Sequence, residues 1–255
     1  YYMAEFFIAN AEGRRADQYT ALLKADNIQQ HERNEFYRHL VELLWLGKTD
    51  QAPGSWPGHF EDMLEAMLSP EAVAAELENV DPNDLSLEQR HVMNLALISL
   101  GRCNNLIPYL QSMGLEQQDR FGDPDDGESE FNFASVYAYC LRQEGEESRA
   151  ADLARNLLRY FDEAVDSGFP SSNWVERRAL LLLILGEEKQ AVDSLRQVHE
   201  SHDLPVLNFL GFTKLYGDSL IDREDFRLLG EDIERKMNEE RAQLGWPPKR
   251  LSDIL

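Results

Sequence analysis

Cysteine is scarce in this 255-residue chain, with Cys103 and Cys140 its two examples. They lack CxxC or Cys/His spacing, which excludes a disulfide framework or a structural zinc site of the usual patterns. Two buried free thiols are expected rather than a bridge. Basic residues are also few: 25 Lys and Arg stand against 47 Asp and Glu, a formal charge of -22. That balance repels phosphate backbones and anionic headgroups, so nucleic acid is excluded as a partner of this segment. A protein or peptide, preferably basic, is the easier partner. No apolar run is long enough to span a bilayer. The opening Tyr1 to Ala9 is too short, and the pair Arg14-Arg15 follows it, unlike a secretory signal. The sequence leaves the compartment open, with the cytoplasm slightly favoured over the periplasm.

Chemical motifs are missing as well. There is no GxSxG, phosphate-cradling glycine loop, GxGxxG or kinase set, and Cys140 has no histidine near it in sequence. Of the six histidines, His31, His39, His59 and His91 stand apart. His199 and His202 share an i, i+3 spacing near a helix end, where they read as solvated groups that complement the helix dipole. The acidic stretch Asp123 to Glu130 resembles a calcium loop, but its glycine falls one position early and Ala134 stands where a bidentate Glu belongs. It reads as a surface loop leading into a helix. No metal, no cofactor and no catalytic residue is expected, and a non-enzyme is the reading.

What the chain has in quantity is helical periodicity. Phe60, Met63, Leu64, Met67 and Leu68 form one stripe, Ala150, Ala154, Leu157 and Phe161 a second, and Ala191, Val192, Leu195 and Val198 a third. Alternation with period two is nearly absent, so the fold class is all-α. Ser69-Pro70 suits a helix start, and Ser86 with Gln89 has capping-box spacing. Gly47, Gly101, Gly145 and Gly186 each follow a helical run and suit the left-handed residue that ends it.

The glycines recur at intervals of 54, 44 and 41 residues, close to helical-repeat periods. Leu141 and Leu182 stand four before Gly145 and Gly186, Ala138 and Ala179 seven before, and Ala150 and Ala191 five after. On these residues the chain resembles the tetratricopeptide repeat family, best over residues 86 to 200. Around Gly101, Leu97 fits but Asn94 and Leu106 replace small residues; after Gly47, Pro53-Gly54 departs from the pattern. The order Leu185-Gly186-Glu187-Glu188-Lys189-Gln190-Ala191, then Arg223 to Leu229 and a charged terminal helix, also resembles the C-terminal repeat regions of bacterial multidomain signalling proteins. Those regions follow winged-helix transcription regulators or nucleotide cyclases.

The resemblance implies an α-solenoid of roughly six degenerate hairpins with a C-terminal capping helix. It is organised as divergent N-terminal helices over 1–58, repeats over 59–200, and a hairpin and cap over 201–255. By family analogy, the concave groove carries His91, Asn132, Ser135, Tyr139, Arg142, Asn173, Glu176 and Arg177. Ser135, Tyr139 and Glu176 occupy places where a carboxylate clamp needs Lys and Asn, which argues against recognition of a chaperone tail. Trp45, Trp56 and Trp174 are the other conspicuous aromatics, Trp56 lying in a loop. Phe226, Leu229, Ile233, Met237 and Leu244 share one face of the terminal helix, read as a cap or else as a dimerising surface. The implied function is non-catalytic protein or peptide binding, or sensing, in a bacterial signalling or regulatory protein. The alternatives are a structural dimerisation or scaffold domain, with a homodimer, and an enzyme with its site in the concavity.

Overall fold

The computed structural model describes residues 9, 14–28, 38, 41–47, 66, 69–77, 80, 84–118, 121, 130–166, 174–201 and 204–254. Among these there is no strand. The α-helices are α1 (Arg15–Ile28), α2 (Pro70–Leu77), α3 (Leu87–Ser99), α4 (Cys103–Ser112), α5 (Glu130–Gln143), α6 (Glu147–Asp166), α7 (Trp174–Ile184), α8 (Glu188–Glu200), α9 (Val206–Tyr216) and α10 (Glu224–Gln243). The all-α class therefore holds. No helix among the described residues is long and apolar enough to cross a membrane.

Helix starts follow local chemistry. Before α3, Ser86 Oγ accepts from the Gln89 amide at 3.2 Å while Gln89 Oε1 accepts from the Ser86 amide at 3.0 Å. This reciprocal cap satisfies two amides that the helix itself leaves open. Pro70 opens α2, where its missing N–H costs nothing.

Helix ends repeat one device. After α3, α5 and α7 the glycine amide bonds the carbonyl three residues back, and the next amide reaches the ladder leucine: Arg102 to Leu97 at 2.8 Å, Glu146 to Leu141 at 2.8 Å, Glu187 to Leu182 at 2.9 Å. All three glycines have the left-handed φ this closure needs.

The chain divides into two compact units. One comprises Asp62–Leu195 with Lys214–Ser219, the other Tyr1–Glu61, Arg196–Thr213 and Leu220–Leu255.

In the larger unit α2 packs on α3, α3 on α4, α4 on α5 and α5 on α6, while α7 lies against both α5 and α6. Helix α5 is the central element, with every residue from Phe131 to Ala138 buried. Ala138 and Ala179, the small residues of the ladder, are fully buried, as are Ala154 and Ala191. Cys103 and Cys140 form a disulfide between α4 and α5, with Cα atoms 4.9 Å apart. This corrects the expectation of free thiols. Their sequence separation of 37 hides a pairing that packing of α4 on α5 creates. Below the bridge, the buried Tyr137 hydroxyl donates to Glu116 at 2.6 Å. Arg149 donates to the same carboxylate at 2.5 Å and to the Tyr137 oxygen at 2.8 Å.

In the smaller unit α1 packs against the turn Val41–Trp45 and against α10. That turn is π-helical, closing with Leu46 N to Val41 O at 3.2 Å. Ala21, Leu22, Val41 and Leu46 form a core cluster onto which Tyr19, Leu244 and Trp246 pack. Phe226, Leu229, Ile233 and Met237 are buried. The apolar stripe of α10 is thus spent inside its own unit, with Phe226 against Phe209 at 5.3 Å between ring centroids. The residues after α10 return along it: Asn238 exchanges two hydrogen bonds with the Lys249 backbone, and the Leu251 amide donates to Glu234.

Candidate functional site

The residues assigned to a groove fall in the larger unit, and most are engaged with the protein itself. Asn132 and Ser135 are buried, Ser135 completely, with its hydroxyl donating to the Phe131 carbonyl at 2.8 Å. They belong to the core of α5, which corrects their placement on an open groove. The run Phe131 to Ala138 of α5 is enclosed without a break, so small polar residues within it present nothing outward. Asn173 lies outside the described residues, as do Trp56, His31, His39, His59, His202 and the acidic stretch 122–129.

Tyr139, Arg142, Glu176, Arg177 and His91 remain at least partly accessible. The Tyr139 hydroxyl donates to the Leu215 carbonyl at 3.1 Å, and its ring meets Tyr216 edge-on at 4.8 Å. Burial, reinforced by the facing Tyr216 and Asp218, pushes the Tyr139 phenol up to about 12. Arg142 donates to the carbonyls of Leu183 and Ile184 at the end of α7. These two carbonyls are among the four a helix end leaves without internal partners, and the cation complements the negative end of the helix dipole. Arg142 is a stitch from α5 to the end of α7. Burial raises the Tyr216 phenol, and the positive charge of Arg177 acts against it.

The structure therefore brings Tyr139, Glu176 and Arg177 together around Tyr216, while His91 sits apart on α3. Tyr216 was not anticipated. Its contact with Tyr139 spans more than seventy residues, and no local pattern around Thr213-Lys214-Leu215-Tyr216-Gly217 signals it. The combination offers aromatic area, one cation and one carboxylate. Among the described residues no group of three or more His, Cys, Asp or Glu is placed to hold a metal ion.

His199 departs from its expected role. It is buried, and its Nε2 lies 2.8 Å from Asp232 on α10, so it is not a solvated end-of-helix group. Asp232 also accepts from Arg235 at 2.5 Å and has Lys236 at 3.6 Å. Burial raises this carboxyl, but the hydrogen bonds from Arg235 and His199 and the charge of Lys236 outweigh it and hold it at about 2.

No family model matches the chain, and neither curated proteins nor solved structures give a match.

Proposed function

We propose that the larger unit is a tetratricopeptide-like, non-catalytic binding module that recognises a protein or peptide segment, in the setting of a bacterial signalling or regulatory protein. What carries the reading is the stitch between successive hairpins. Arg142, three residues before the ladder glycine Gly145, caps the carbonyls that lie two and three residues before the next ladder glycine, Gly186. One hairpin thereby sets the position of the next through equivalent places in the repeat. An array of hairpins built in this way generates a continuous inner face. On that face Tyr139, Tyr216 and Arg177 supply the aromatic and guanidinium groups that anchor peptides at modest entropic cost. The chain's charge of -22 favours a basic segment as the ligand.

The test starts from proteins captured out of bacterial lysate, whose overlapping peptides are then measured for direct binding to the purified chain. Arg177→Ala with Glu176→Gln should weaken the best basic peptide by about tenfold or more, with thermal unfolding unchanged. Undiminished binding by that variant would remove the inner face as the site.

A further inference from the structure

The smaller unit contains a cavity of about 250 Å³, just below the roughly 300–1,000 Å³ of pockets that hold drug-sized ligands. Its apolar wall is made by Trp45, Leu204, Val206, Ile233 and Met237. Trp45 comes from the π-helical turn Val41–Trp45, a geometry that is rare and frequently marks functional sites.

The charged part of the lining differs in character from the rest of the molecule. A chain with nearly twice as many acidic as basic residues places Arg15, Arg235 and Lys236 here against Glu239 and Glu240. Both carboxylates are already engaged: Glu239 accepts from Arg235 at 2.6 Å, and Glu240 accepts from the Ala16 amide at 2.6 Å. Arg15 stacks over the Trp45 ring at 4.3 Å, which adds positive potential at the aromatic wall. Lys236 Nζ is 3.6 Å from Asp232 Oδ2, an ion pair beyond good hydrogen-bond length. The Trp45 indole N–H is buried and has no hydrogen-bond partner among the described residues. A buried donor left in this state costs free energy that an acceptor in the cavity would recover.

We infer that this cavity binds a small organic monocarboxylate, with its hydrocarbon or aromatic body against Ile233, Met237 and Val206 and its carboxylate received by the Trp45 indole N–H and the Lys236 ammonium. The size fits a body of about one ring, and the Lys236 ammonium beside the indole donor selects an anion over a neutral or cationic analogue. This site lies wholly within the smaller unit and does not depend on the peptide-binding reading.

The test uses the full ¹⁵N-labelled chain, with 3-phenylpropionate as the probe and 3-phenylpropan-1-ol as its uncharged counterpart. The Trp45 indole N–H resonance is identified by its loss in Trp45→Phe. Titration with the carboxylate should shift that resonance saturably, with a Kd in the millimolar range or below, and the alcohol should bind about tenfold more weakly. In Lys236→Gln the preference for the acid should largely vanish while weak binding of both compounds persists. An unmoved Trp45 resonance at saturating probe overturns the site. Equal affinity for acid and alcohol in the wild-type chain overturns its anionic selectivity, as does an undiminished preference in Lys236→Gln.

Discussion

The guanidinium of Arg241 donates to the carbonyl oxygen of Leu46, 195 residues earlier in the chain, at 2.6 Å. The same side chain donates to the Pro247 carbonyl at 2.9 Å and packs over the Trp246 ring at 5.6 Å. A buried cation thereby satisfies two backbone acceptors at the junction of the π-helical turn and the returning C-terminal segment. Arg241→Met keeps much of the aliphatic volume but removes both bonds. It should lower the unfolding free energy by about 2–3 kcal/mol, read from urea denaturation.

Gly47 sits beside that junction at φ +59°, and a Cβ built there lies 2.5 Å from Ile254 Cδ1 and 3.1 Å from Met237 Sδ. Gly101 has φ +64° with nothing within 4 Å. Gly101→Ala should cost about 1–2 kcal/mol from backbone conformation alone. Gly47→Ala should cost more, and adding Ile254→Ala should recover part of the excess. A double-mutant cycle in chemical denaturation measures that coupling.

The Cys103–Cys140 bridge closes a loop of 37 residues in sequence separation, for which chain-entropy arguments give about 3–4 kcal/mol of stabilisation. Both sulfurs belong to buried residues. Alkylation of the unfolded, unreduced chain should add no adduct by intact mass, and two adducts should appear after reduction. The reduced chain should melt at a markedly lower temperature.

High pH should weaken the larger unit. Burial, with the hydrogen bond to Glu116, raises Tyr137 to about 12, and burial raises Tyr139 to about 12, against about 10 in an unfolded chain. A raised tyrosine pKa means the folded state favours the neutral phenol. The stabilisation is complete below pH about 10 and is lost as pH rises toward about 12. Absorbance at the phenolate band should show late-titrating tyrosines, with Tyr137→Phe removing one and costing about 1 kcal/mol at neutral pH.

Acid acts on the smaller unit in the opposite sense. Asp232 is held at about 2, below the roughly 3.9 of an unfolded aspartate. Its stabilising contribution is present above pH about 4 and is lost as pH falls toward about 2. Asp232→Asn should flatten the acid limb of the stability profile over that window. The ring resonances of His199, which meets Asp232 at 2.8 Å, should move in the same variant by NMR.

Local chemistry was legible in the sequence and long-range pairing was not. Ser86 with Gln89 announced the start of α3, and the glycines after Leu97, Leu141 and Leu182 announced helix ends, because caps and closures are settled within about five residues. The stripe Phe226, Leu229, Ile233 and Met237 identified a buried face but not what buries it. By contrast, Cys103 with Cys140, Tyr139 with Tyr216, and His199 with Asp232 are decided by how helices pack. At the candidate groove, the family resemblance implied an inward face for Ser135 and Asn132 without showing that neighbouring helices already occupy it. The stripe Phe60 to Leu68 lies largely outside the described residues.

The bonds from Arg241 to Leu46 and from Lys249 to Gly47 also impose an order in time. At ribosomal speeds of about 5–20 residues per second, residues 41–47 emerge roughly 10–40 s before the side chains that complete them. The larger unit can assemble mostly from neighbouring segments as they are made. The smaller one must leave residues 41–47 waiting, with the Leu46 and Gly47 carbonyls hydrated and the cavity wall around Trp45 unfinished, until Arg241 and Lys249 have been added.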